Sequence, residues 1–253
     1  MPDMIRTVLV DDEAPARALM REYLGQHPDI VIEAECANGF EAVKVIGDLQ
    51  PDLVFLDIQM PKLDGFEVLE LIDPGPAVVF CTASAEYALK AFEVHAVDYL
   101  LKPFGRDRLA EALNHVRERR ASAAGAGSTA VLAGPKLGAA ARAPGRWLER
   151  VLVRDGAKVH VIPIDTLDYL EAQDDYVAIH VEGKTWLKPQ PLSELAVQLD
   201  PERFVRIHRS YVLQVTRLAR LELYAKDSRM AILADGRQLP VSRAGYARLK
   251  ELM

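Results

Sequence analysis

The stretch DLVFLDIQMPKLDGFEVLEL, residues 52–71, decides the fold class of the first half of this chain. Its opening run, DLVFLDI (52–58), is short and almost wholly apolar, with no polar alternation. A strand of that kind is buried on both faces. FEVLELI (66–72) follows with apolar residues at helical spacing. A doubly buried strand leading into a helix is the unit of a parallel sheet.

The same unit recurs on both sides. Strand-like runs are IRTVLV (5–10), IVIEA (30–34), AVVFCTA (77–83) and DYLLKP (98–103). Between them lie the helical patterns APARALMREYL (14–24), FEAVKVIGDL (40–49) and AEYALKAFEV (85–94), with RDRLAEALNHVRERR (106–120) last. Residues 1–120 therefore form an α/β domain, a five-stranded doubly wound parallel sheet. Residues 121–145 break the pattern: 20 of the 25 are Ala, Gly, Ser, Thr or Pro, and no apolar period is sustained. Such a stretch reads as a linker.

Past it, residues 146–253 show short strands at close spacing: WLERVLVR, KVHVIPI, TLDYLEA, YVAIHVE and TWLKP, then RLELYA, RMAILA and QLPVS. Asp155-Gly156, Glu182-Gly183 and Asp235-Gly236 supply hairpin turns. Only PLSELAVQL (191–199) and SRAGYARLKELM (242–253) read as helical. This half is a mainly antiparallel β domain.

Composition removes several classes. No apolar run approaches the roughly 18–20 residues of a transmembrane helix, and MPDMIRTVLVDDE lacks the apolar core of a signal peptide. Cys36 and Cys81, each inside an apolar run, read as reduced core thiols of a cytosolic protein. The expected location is cytoplasmic, with no membrane partner. Net charge is −6, which taken alone argues against a nucleic-acid partner. The distribution says otherwise. Residues 1–120 carry 12 Lys+Arg against 22 Asp+Glu, while Arg203–Lys250 carries 11 basic residues against 3 acidic ones. A basic block on an acidic protein is an electrostatic footprint for nucleic acid.

In an open parallel sheet functional groups collect at the carboxyl ends of the strands. Those ends carry Asp11 and Asp12, then Asp57, Thr82 and Lys102. Three carboxylates at one edge repel each other unless a cation joins them, and hard oxygen donors suit Mg²⁺. Lys102 and the Thr82 hydroxyl complement an added anion, so the set reads as a phosphoryl-transfer site. An alternative is a Mg²⁺-dependent phosphatase with an Asp nucleophile. That chemistry needs an acid/base Asp two residues on, where this chain has Gln59.

VLVDDE, LDIQMPKLDGFEVL, FCTA and DYLLKPF together resemble the receiver domain of two-component response regulators, over residues 5–120. The resemblance implies a flavodoxin-like fold with Asp57 as phosphoacceptor for a histidine kinase. It implies Mg²⁺ held by Asp11, Asp12, Asp57 and the Gln59 backbone carbonyl, and a phosphoryl group met by Thr82 and Lys102. It makes Tyr99 a switch residue and the Lys102–Pro103 peptide cis. A homodimer through the face built from 85–94, 98–104 and 106–120 follows from the same resemblance, as does slow hydrolysis of the phosphoryl group without any metabolic activity.

In the second half, TLDYLEAQDDYVAIHV, PLSELAVQL, RFVRIHRSYVLQV and RQLPVSRAGYARLKEL are similar to a LytTR DNA-binding domain, over residues 147–251. By that resemblance loops around 173–176, 207–210 and 242–245 meet double-stranded DNA. Arg209 and Arg243 would read base edges, since Arg is the usual bidentate partner of guanine. Arg206, Lys188 and Arg248 would meet phosphates, and Ser210 joins the contact loop. His208 would either touch phosphate or orient its loop. Gln214 and the Asp174–Asp175 pair depart from what phosphate contact favours, and their roles stay open. The expected function is a transcriptional response regulator; a protein- or RNA-binding output domain is the alternative.

Overall fold

Leu53–Leu56 is a fully buried strand, β3, at the centre of a five-stranded sheet. The computed structural model describes residues 4–87, 91, 94–125, 147–156, 158–225 and 228–252. It divides into two compact units, Met1–Ala141 and Arg142–Met253.

The first unit runs β1 (Ile5–Val10), α1 (Ala14–Leu24), β2 (Ile30–Cys36), α2 (Gly39–Leu49), β3, α3 (Gly65–Leu71), β4 (Ala77–Thr82), β5 (Asp98–Leu101) and α4 (Arg106–Gly125). The strand order is β2-β1-β3-β4-β5, all pairs parallel. That order reverses between β1 and β3, which is where an open α/β sheet makes its ligand crevice. Leu9, Phe55, Val79 and Leu100 pack with Leu109, Leu113 and Val116 of α4 in the core. Local chemistry fixes the helix starts. Asn38 accepts from the Glu41 N–H at α2, and Asp64 and Glu67 form a capping box at α3.

Two expectations need adjustment here. Helix α4 continues five residues beyond 120, because the Ala-rich run Ala121–Gly125 favours helix once α4 has been nucleated. The assignment of 121–145 as linker therefore holds no earlier than 126, and residues 126–146 lie outside the described residues. In the expected helix 85–94, Ala85–Tyr87 is a 3-10 turn, and 88–90 and 92–93 lie outside the described residues. Both cysteines are buried and unpaired, and burial pushes the Cys36 thiol up to about 12.

The second unit runs β6 (Arg150–Asp155), β7 (Lys158–Pro163), β8 (Tyr169–Gln173), β9 (Tyr176–Val181), β10 (Lys184–Lys188), α5 (Leu192–Ala196), β11 (Phe204–His208), β12 (Tyr211–Gln214), β13 (Leu218–Ala225), β14 (Ser228–Leu233), β15 (Gln238–Val241) and α6 (Arg243–Leu252). Its sheets are β10-β9-β8-β12-β11, β13-β14-β15 and the hairpin β6-β7, all antiparallel. One hydrophobic cluster gathers around Leu167, Leu170, Val177 and Ile179. A second, around Ile207, Leu213, Ala231 and Leu249, seats α6 against β11. The basic run RFVRIHRSYVLQV is itself a hairpin, β11 turning into β12, which its charge density obscures. Phe204, Val205 and Ile207 are buried while Arg206 and His208 are half-buried.

Candidate functional site

The edge of the first sheet gathers the expected groups. Asp11 leaves β1 and Asp57 leaves β3, adjacent strands, so the two carboxylates face each other across the crevice. Oxygens of Asp11, Asp12 and Asp57 lie within 4.8 Å of one another. The Lys102–Pro103 peptide is cis. Lys102 Nζ donates to Asp11 Oδ2 at 2.6 Å and Asp57 Oδ2 at 2.9 Å, with Glu13 Oε2 at 3.8 Å. Burial works against its ammonium, but the hydrogen bonds it donates to Asp11 and Asp57 win and raise its pKa. For Asp57 burial is the largest influence and moves its pKa up in spite of Lys102. Three carboxylates around one partly buried ammonium form an oxygen-rich pocket with more negative than positive charge, which suits a hard divalent cation.

Thr82, at the end of β4, is 0% exposed, and its hydroxyl has no hydrogen-bond partner among the described residues. A buried donor without a partner costs about 1–3 kcal/mol, so it stands ready for an acceptor that arrives later. Tyr99 is turned so that its hydroxyl donates to the Ser84 carbonyl. Gln59 presents its backbone N–H to Asp57 Oδ1 at 3.1 Å. Neither Asp11 nor Asp12 is the N-cap of α1. The N-cap is Glu13, without a side-chain cap, and Asp11 Oδ1 accepts the Glu13 N–H.

Sequence reasoning passed over Gly65. Its N–H donates to the Ile58 carbonyl, and a Cβ there would lie 2.4 Å from the Asp57 carbonyl oxygen. α3 thus starts in contact with the backbone of Asp57, a close approach only glycine allows. The Asp-Gly pair ahead of an apolar helix was the available signal.

In the second unit, two turns and the start of α6 line one end. Ala172 N–H donates to the Ser210 carbonyl, which ties the β8–β9 turn (173–176) to the β11–β12 turn (209–210). The Ser242 N–H and hydroxyl both donate to the Ile207 carbonyl, at 2.9 and 3.0 Å, which ties in 242–245. Gly245 N–H returns to Ser242 Oγ at 3.0 Å. Arg209 and Arg243 are exposed on this row. Arg206 donates to the Arg209 carbonyl and Arg248 to the Arg206 carbonyl, so both guanidinium groups also brace the turn. His208 Nδ1 accepts the Ser210 N–H at 3.2 Å. Burial first, and Arg209 second, hold its pKa below the ordinary value. Both facts favour a neutral ring that orients the loop.

Two positions fall elsewhere. Lys188 is 6% exposed and its ammonium donates to the Leu152 carbonyl at 2.8 Å, so it is an internal brace to β6 and no phosphate contact. Its short flanking strand TWLKP gave no sign that the Lys side chain points inward. Gln214 is 3% exposed at the opposite end of β12, where its Oε1 accepts from Arg217. Asp174 adopts a left-handed φ of 48° in the first turn.

Behind the row lies a polar network that periodicity could not reveal. His180 Nε2 meets Glu171 Oε2 at 3.1 Å, and its Nδ1 meets Thr185 at 3.1 Å and Arg237 at 3.3 Å. Tyr169 stacks on the ring at 4.1 Å, and Tyr211 donates to Glu171 at 2.8 Å. Burial disfavours the imidazolium and lowers the His180 pKa; Glu171 opposes this and Arg237 reinforces it. As pH falls through the unfolded value of about 6.5, the unfolded chain takes the proton first. Stability from this group is complete above that value and declines below it. The second unit should unfold at lower temperature at pH 5.5 than at pH 7.5, and His180→Gln should flatten that difference. An unchanged pH slope in the variant would assign the effect to other groups.

Comparison with known proteins adds the following. Residues 7–114 match the response regulator receiver domain model, and residues 157–253 the LytTr DNA-binding domain model. The chain is 34% identical over 254 residues to the transcriptional regulatory protein BtsR of Escherichia coli, covering 98% of each. It is 38% identical over 248 residues to an uncharacterized response regulatory protein of Vibrio cholerae, covering 94% of each. Among solved structures, the response regulatory domain of protein mrkE from Klebsiella pneumoniae is 29% identical. That match spans 47% of this chain and 99% of the other, with a TM-score of 0.44.

Proposed function

Since the chain belongs to the response regulators that join a receiver domain to a LytTR DNA-binding domain, we propose that phosphorylation of Asp57 controls its binding to double-stranded DNA. It is a transcriptional response regulator and not a metabolic enzyme. The observation that carries the proposal is the Asp57 carboxylate held against Lys102 beside the unpartnered Thr82 hydroxyl.

The phosphoryl donor is a histidine kinase. An Asp57 oxygen forms the new P–O bond, the P–N bond to the kinase imidazole breaks, and that ring leaves with its electron pair and takes a proton. Mg²⁺ bound by Asp11, Asp12, Asp57 and the Gln59 carbonyl supplies charge neutralisation for the phosphoryl oxygens; the carboxylate cluster fits that ion. Lys102 pairs with the phosphoryl group once Asp57 is esterified, and Thr82 donates its hydroxyl to it. Moving Thr82 inward opens space for Tyr99 to give up its bond to Ser84 and turn in. With Gln59 where a phosphatase has its acid/base, hydrolysis of the phospho-Asp is slow. The altered face around β5 and α4 supports a homodimer, and two linked DNA-binding units gain avidity on one duplex. The proposed location is the cytoplasm; among the described residues no helix is long and apolar enough to cross a membrane.

On the DNA side, Arg209 and Arg243 read bases, Arg206, Arg248 and Ser210 hold phosphates, and His208 orients its turn. The reading is supported by two turns and the start of α6 brought to one end and by the 11 basic against 3 acidic residues from Arg203 to Lys250.

The receiver half is tested with acetyl phosphate and Mg²⁺: the native chain takes up one phosphoryl group and Asp57→Asn none. Uptake by the variant would put the acceptor elsewhere. In the DNA half, Arg209→Ala or Arg243→Ala should relax discrimination at one base pair by about 1–3 kcal/mol. Sequence preference left intact by both variants would remove them from base reading. A domain that selects RNA or protein in place of duplex would point to the other output class.

A further inference from the structure

Leu223 and Tyr224, near the end of β13, are 74% and 75% exposed, more than any other large hydrophobic residue described. Contiguous exposed apolar side chains, unlike single ones, are candidates for a contact surface. Their place in the fold is informative. Leu223 lies opposite Arg229 on β14, and Arg229 lies opposite Val241 on β15. Val241 directly precedes Ser242, whose N–H and hydroxyl hold the Ile207 carbonyl. The Leu223–Arg229 end of the β13–β14 pair therefore continues the row formed by 173–176, 209–210 and 242–245. Two strand spacings separate Leu223 from Val241, about 10 Å.

Two further features give this end a purpose. The pairing steps from Leu223–Arg229 to Ala225–Ser228, so Tyr224 is the extra residue of a β-bulge. A bulge re-aims a side chain and ends regular pairing, and the Tyr224 side chain has no hydrogen bond or ring partner among the described residues. The hairpin is also fastened to the reading helix. The Arg229 guanidinium sits 3.9 Å from the centre of the Tyr246 ring, on the first turn of α6 after Arg243. What Tyr224 presents is thus held at a fixed place relative to Arg243.

We propose that Leu223 and Tyr224 of β13 form a fourth DNA-contacting element, in which Tyr224 donates its hydroxyl to a backbone phosphate and Leu223 covers the adjoining deoxyribose. Tyr is among the side chains that hold duplex backbones in register. The occupant is DNA because the row carries Arg209, Arg229 and Arg243 within a strongly basic block, and another protein seated on this tip would compete with a duplex lying about 10 Å away. At about 3.4 Å per nucleotide along one strand, the contacted phosphate falls within roughly three nucleotides of those beside Arg243. The inference rests on the DNA reading of the preceding subsection.

The test uses the full chain, a duplex it selects from a random pool, and a random-sequence duplex. Tyr224→Phe, which keeps the exposed ring and removes one hydroxyl, should weaken both complexes by about three- to tenfold, the worth of one hydrogen bond. Sequence preference should stay as it was. Ethylation interference should lose one phosphate in the variant, outside the set lost in Arg248→Ala. Wild-type affinity and an unchanged interference pattern in Tyr224→Phe and Tyr224→Ala overturn the proposal. So does a Tyr224→Ala variant altered only in self-association, which assigns the tip to a second copy of the chain. If the native chain itself selects no duplex while Arg209→Ala binds like it, the DNA reading has failed and the hairpin contact falls with it.

Discussion

Gly245→Ala lowers the stability of the second unit by about 3 kcal/mol, and with it the affinity for DNA. An added Cβ would stand 1.9 Å from the Ile207 carbonyl oxygen and 2.6 Å from its Cα, both backbone atoms that cannot swing aside. Helix α6 must then lift off β11. Overpacking of this kind costs typically about 1–3 kcal/mol. The two bonds that Ser242 makes to Ile207, and the Gly245 N–H bond to Ser242, weaken together, each worth roughly 1 kcal/mol. For a unit of about 100 residues, 3 kcal/mol corresponds to a fall in Tm of roughly 12–24 °C. Thermal unfolding of the full chain supplies its own control, since the receiver transition should not move. A Gly245→Ala protein that melts like the native one would mean α6 is not seated on Ile207.

Lys102→Met has the second large effect, and its size depends on the solution. In EDTA the receiver should lose about 3 kcal/mol, because Asp11 and Asp57 are left facing each other without the ammonium between them. Breaking a buried ion pair on one side costs roughly 3–5 kcal/mol; the lower end applies because Asp12 is exposed and the site opens to solvent. With millimolar Mg²⁺ much of the loss should return, since a cation binding only the folded form stabilises it by mass action. A variant whose melting ignores Mg²⁺ would contradict a cation site at these carboxylates.

How much of this the chain announces beforehand depends on what signals a residue carries. The parallel sheet was legible because β3, β4 and β1 are nearly continuous apolar runs, and its active edge because Asp11, Asp57, Thr82 and Lys102 all fall at strand ends. The β11–β12 hairpin was not read as strands. Arg206, His208 and Arg209 interrupt its apolar pattern, although Phe204, Val205 and Ile207 still turn inward. Lys188 misled for the opposite reason: charge suggests surface, yet the Leu152 carbonyl receives its ammonium inside. The end of α4 went unseen because Ala and Gly read equally as linker and as helix, and only an established helix selects between them. The roles of Gly65 and Gly245 could not be seen at all. Each depends on backbone from a distant part of the chain, Asp57 in one case and Ile207 in the other.

Three bonds that tie the β8–β9 turn to the β11–β12 turn, and the start of α6 to β11, end on main-chain carbonyls: Ala172 to Ser210, and Ser242 twice to Ile207. None involves the side chains at 209 or 243. On the proposed DNA reading, these frame bonds are chemically distinct from the side chains assigned to base edges. On that reading, related regulators acquire new operators by exchanging the side chains at 209 and 243 while keeping these main-chain bonds. Retargeting this protein in the laboratory should follow the same route, with 209 and 243 randomised and Ser242 and Gly245 left alone.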